Sequence, residues 1–114
     1  MATAQSATRA YAQGQATRGL RAQEADVFHR VNAALRRARH GSELDRIRAF
    51  ADNALLWTTV AGVAADPENR LPPPLRASLI SIGRAVGREM RSDTPDFGFL
   101  VRVNDDIAAG LAAA

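Results

Sequence analysis

The residues best suited to metal ligation or proton transfer are His29 and His40, the only histidines in the chain. Their separation does not give the paired spacing of a metal site, and solvated surface is the simpler reading of both. Asp105 and Asp106 are adjacent, so on a helix they point to different faces and cannot act together as an acid and base. None of Ser42, Ser78, Ser81 and Ser92 lies in the motif of a nucleophile elbow, with glycine two residues before and two after, and the single glycines make no phosphate loop. With no cysteine there is no thiolate nucleophile, disulfide or sulfur-ligated metal. The expectation is a protein with no catalytic residues, no metal and no cofactor.

Arginine is the other chemistry on offer. All 15 basic residues are arginine, and the net charge is +3. Most of them alternate with acids, as in Glu43, Asp45, Arg46, Arg48 and Asp52, which is the pattern of a solvated face. The cluster Arg36, Arg37 and Arg39 sits where positive charge complements the end of a helix. Direct nucleic-acid binding, which needs a basic stripe or stacking aromatics, is not expected.

Two amides stand among apolar residues. Asn53 precedes Leu55-Leu56-Trp57, and Asn104 lies within an apolar stripe. Hydrogen-bonded core amides that fix helix register are the favoured reading of both. Leu55 and Leu56 lie about 100° apart on a helix, so if Leu55 faces the core, Leu56, Val60 and Trp57 form an apolar surface strip. A central helix packed on several sides accounts for the same residues, and the sequence leaves both readings open.

The elements that position these residues follow from apolar periodicity. At 114 residues the chain has room for one domain. Residues 1–19 are rich in Ala, Gln, Thr and Gly, with Tyr11 the one large apolar side chain, and read as a mobile arm ahead of a single domain over 20–114. Phe28, Val31, Leu35 and Ala38 form one helical stripe that ends at Gly41. Ser42 caps a second helix, with Glu43 and Asp45 in its first turn. That helix stops before Pro67. The segment from Asp66 to Pro74 is a stiff loop, and proline at the first helical position opens a third helix near Pro74. Leu75, Leu79, Ile82, Val86 and Met90 form its stripe. After a break at Ser92 to Pro95, Asp96 caps a fourth helix carrying Phe97, Leu100, Val101, Ile107 and Leu111. The fold class expected is all-α, a small bundle of about four helices, with Phe28, Leu35, Leu55, Leu79, Ile82, Val86, Leu100 and Ile107 in the core. The longest uncharged run, Asn53 to Ala65, is too short to span a bilayer, which takes about 20 residues.

In this order the residues carry a resemblance. Tyr11, Arg21-Ala-Gln-Glu24 with Phe28 and Leu35, Asn53-Ala-Leu-Leu-Trp57, Pro67-Glu-Asn-Arg-Leu-Pro-Pro-Pro-Leu-Arg76, and Val103-Asn104 with Ile107 and Gly110-Leu111 together resemble the FlaF flagellar biosynthesis regulators of alphaproteobacteria. Gly19-Leu20 departs from the Ser-Pro pair expected just before Arg21. The resemblance implies a cytoplasmic, non-enzymatic bacterial protein needed for flagellin production and export, with flagellin as partner and the translational regulator FlbT as a second. The expected function is that of a flagellin-directed secretion chaperone. The alternative is a post-transcriptional regulator of flagellin expression that acts through FlbT or the flagellin transcript. The expected binding surface combines Leu56, Trp57 and Val60 with the proline-stiffened segment carrying Asn69, Leu71 and Arg76.

Overall fold

The computed structural model describes residues 24–68 and 71–113. The expected arm over 1–19, the start of the first helix and Asn69 lie outside the described residues. Within them the chain forms four helices and no strand. These are α1, described over 24–38, α2 (Glu43–Ala65), α3 (Pro73–Met90) and α4 (Phe97–Ala113).

The ends of the helices follow the local chemistry of the sequence. α1 closes through short backbone bonds, with the N–H of His40 donating to the carbonyl of Arg37 and that of Gly41 to Ala38. Gly41 therefore ends the helix without entering the left-handed region. α2 starts with a capping box. The Asp45 N–H donates to Ser42 Oγ and the Ser42 N–H donates to the Asp45 carboxylate, both at 3.1 Å, which satisfies amides that have no partner inside the helix. Pro73 and Pro74 open α3, where their missing amide hydrogens cost nothing. The Phe99 N–H donates to Asp96 Oδ1 at 3.1 Å at the start of α4, and Glu89 accepts from the Asp96 N–H at 2.7 Å, tying the end of α3 to the α3–α4 turn.

Contacts between helices set their directions. Asn53 meets Met90 and Trp57 lies against Gly83, so α2 and α3 run antiparallel. Phe50 stacks on Phe97 at 4.9 Å between ring centroids, and Trp57 bonds Asn104. A step from 50 to 57 on α2 thus matches a step from 97 to 104 on α4, and these two helices run the same way. α2 is the axis of the molecule, flanked by α3 and α4 and reached by α1 through Phe28, whose ring meets Trp57 edge-on at 6.0 Å.

The core gathers Ala25, Phe28, Leu35, Ala38, Ala49, Trp57, Val86, Leu100 and Ala108. Phe28, Leu35, Val86 and Leu100 are buried as the periodicity predicts. Ile82 and Ile107 are half-buried against this core, and Leu79 is half-buried. Leu55 is a correction: expected in the core, it is 68% exposed. Ala49, Asn53, Leu56, Trp57, Val60 and Ala64 all turn inward, so Leu55 is carried to the opposite side of α2 by the helical repeat.

Candidate functional site

Three asparagines, one each from α1, α2 and α4, are completely buried: Asn32, Asn53 and Asn104. Two of them form a continuous chain with the tryptophan. Trp57 Nε1–H donates to Asn104 Oδ1 at 2.8 Å, Asn104 Nδ2 donates to Asn53 Oδ1 at 2.8 Å, and Asn53 Nδ2 donates to the Met90 sulfur at 3.2 Å. The chain links α2, α3 and α4. Both amides are core amides, as the sequence reading favours, and the directionality of their bonds allows one rotational setting of α2 against α4.

Asn32 was not singled out from the sequence. Its Nδ2 donates to the carbonyl of Val101 at 3.0 Å and to Asp105 Oδ1 at 2.8 Å, joining α1 to α4. Arg36, one turn further along α1, reaches the other oxygen of Asp105 at 2.5 Å. Part of the Arg36-Arg37-Arg39 cluster is therefore committed to holding α1 on α4. The only available signal was position: Asn32 falls four residues after Phe28 and three before Leu35, on the stripe that α1 buries.

The surface strip of Leu56, Trp57 and Val60 is a second correction. Trp57 is 4% exposed, with its ring N–H bonded and its ring edge 3.5 Å from where a side chain would begin at Gly83. Leu56 and Val60 are half-buried against the same core. Burying the largest side chain of α2 turns its neighbours inward with it. Leu71 and Arg76 are both half-buried.

What lies open is the other face of α2. Leu44 is 52% exposed, Ile47 57%, Leu55 68% and Val63 51%. Ala51, Ala54, Thr58, Thr59 and Gly62 are exposed between them. Leu44, Ile47, Ala51, Leu55, Thr58 and Gly62 recur at steps of three and four, so they form a continuous stripe along the helix. From Asn53 to Ala65 this helix carries no charge. Apolar side chains thus stand on two sides of α2, one set against the core and one open, the charged residues being confined to the first half of the helix. Leu75, 45% exposed, adds an apolar side chain at the start of α3. Among the described residues no three His, Asp or Glu side chains converge as a metal site would require, and no helix is long and apolar enough to cross a membrane.

The family model for flagellar protein FlaF matches residues 7–111. The chain belongs to the FlaF family. No curated protein and no solved structure matches it. The matched span takes in the whole buried amide chain and the open face of α2 alike. This FlaF protein is thus flagellar by family and all-helical by structure.

Proposed function

We propose that this FlaF protein is a non-enzymatic, cytoplasmic protein-binding module that serves as a flagellin-directed chaperone, supporting flagellin synthesis and export. The observation that carries the reading is the open apolar stripe of α2, from Leu44 through Ile47, Ala51 and Leu55 to Gly62. Contiguous apolar surface of this kind on a soluble protein marks a place where another chain binds. Its shape, a straight stripe on one helix, suits an amphipathic helix laid alongside. Flagellin's terminal segments form such helices, and shielding them before assembly prevents premature association. Leu71 and Arg76, half-buried beyond the loop after α2, are further candidates for contact with the partner. Trp57 does not touch the partner in this reading and supports the surface from beneath.

The test is a calorimetric titration of flagellin with the full chain and with Leu55→Asp. Because Leu55 is mostly exposed, the variant keeps its helical content and thermal midpoint while affinity falls by about 2 kcal/mol or more. Unchanged affinity in a folded variant rules out this face. Titrating the flagellin transcript in parallel, both series at low and raised salt, separates the alternative regulatory role: binding to an apolar helix of flagellin changes little with salt, whereas direct binding to the transcript weakens steeply as counterions compete for phosphate.

A further inference from the structure

We infer that, without its flagellar partner, the chain covers the open face of α2 with a second copy of itself, the two α2 helices packing antiparallel about a two-fold axis near position 53. The inference rests on the proposed binding face and adds how that face is regulated, since self-association and partner binding then exclude each other.

The spacing of the stripe carries the argument. A two-fold axis at 53 places residue n of one copy opposite residue 106 − n of the other. Under that rule Leu44 meets Gly62, Ile47 meets Thr59, and Leu55 meets Ala51. All six positions are on the open face, and each pair sets a larger side chain against a smaller one. Such matching of large to small is how packed helices interdigitate. Gly62 has open space where a side chain would begin, with nothing within 4 Å, so it offers a notch for the Leu44 of the other copy. Thr59 Oγ1 donates to the carbonyl of Leu55 at 2.9 Å. Its hydroxyl is satisfied within its own helix, and covering its methyl leaves no polar group stranded.

Charge selects the antiparallel register. Glu43, Asp45, Arg46, Arg48 and Asp52 all lie before residue 53, and residues 53–65 are neutral. Antiparallel packing lays the charged half of each helix over the neutral half of the other, and Arg48 falls opposite Thr58. Parallel packing would set Arg48 beside Arg48. An isologous contact of this kind, the same patch on both copies, closes at two and does not propagate.

The interface is one helix wide, so the dimer is weak, assembling over concentrations on the order of 10 to 1,000 µM. Sedimentation equilibrium of the full chain across that range tests it, with Leu55→Asp and Gly62→Leu alongside and with circular dichroism as the check on folding. The expected result is a monomer–dimer equilibrium in the native chain, weakened by at least about thirtyfold in both variants, with helical content unchanged. The Gly62→Leu variant is informative because a Cβ there has no described atom of its own chain within 4 Å, and the added side chain fills the notch that the partner's Leu44 would enter. A native chain that stays monomeric throughout overturns the inference, as does a dimer that both folded variants leave intact. In a further arm, flagellin is added to the dimer: conversion to a mixed complex supports mutual exclusion, and a ternary complex with the dimer intact overturns it. A monomeric chain that binds flagellin through Leu55 would sink only the dimer, and a dimer that ignores flagellin would sink only the chaperone reading.

Discussion

The indole N–H of Trp57 lies where water does not reach, and its acceptor, Asn104, uses its own amide to reach Asn53. Removing Asn104 therefore strands two groups at once. Asn104→Ala is expected to destabilise the protein by about 2–4 kcal/mol, since each buried polar group left unpaired costs about 1–3 kcal/mol. Denaturant midpoints of Asn104→Ala, Asn53→Ala and the double variant form the check: a double variant less destabilised than the sum of the singles is expected for residues within one network. Strict additivity would show that the amide chain contributes no coupling. Gly83 is the companion case on α3. A single methyl at this position would sit 3.5 Å from the Trp57 ring, in ordinary contact, whereas a branched side chain would be driven into it. Gly83→Ala is accordingly expected to be neutral or slightly stabilising, because alanine favours the helix by up to about 1 kcal/mol. Gly83→Val is expected to cost about 1–3 kcal/mol by overpacking. Equal midpoints for the two variants would contradict the close approach of α3 to the ring.

At the scale of the element, α2 illustrates how its two ends and two faces are specified by different means. Its start is local chemistry, the reciprocal Ser42–Asp45 box. Ser42→Ala removes one of those bonds, and a loss of about 1 kcal/mol in thermal or denaturant unfolding is expected; no measurable loss would mean that water replaces the hydroxyl freely. Its end is the approach to Pro67, which stops the helix without a positively charged last turn. On α3, Leu79 shares the predicted stripe with Val86 but is only half-buried where Val86 is fully buried. A fully buried leucine loses about 2–5 kcal/mol on truncation. Leu79→Ala should lose about half that or less, and Leu100→Ala, at a position with no exposure, should reach the full range. Reversal of that order on chemical denaturation would mean the burial of the two stripes is misassigned.

For the whole molecule, the single tryptophan is a built-in reporter of cooperativity. Trp57 touches α1 through Phe28, α3 at Gly83 and α4 through Asn104, so its emission reports the loss of packing against any of these three helices. Thermal unfolding followed by Trp57 fluorescence and by far-ultraviolet circular dichroism is expected to give one coincident transition. A fluorescence change that precedes loss of helix would show that one of these three contacts opens independently of the rest.

The number of helices, their order and most of their ends were legible in the sequence because they depend on neighbours in the chain. Ser42, Asp96 and the proline run act within a few residues of themselves, and the stripes of α1, α3 and α4 each have one apolar side to bury. The two core amides could be placed for a related reason, as polar residues within apolar stripes. The family, too, was legible, because it rests on residue identities in order. The inward face of α2 was not legible. That helix carries two apolar faces, Leu56-Trp57-Val60 on one and Leu44-Ile47-Leu55 on the other, and no local rule ranks them. The choice falls to residues distant in sequence: Phe28, Gly83 and Asn104 together make a site that fits one indole and accepts its N–H. Once Trp57 enters that site, the helical repeat carries Leu55 outward. The exposed surface of this protein is thus decided by where its largest side chain is buried, which only the packing of four helices could determine.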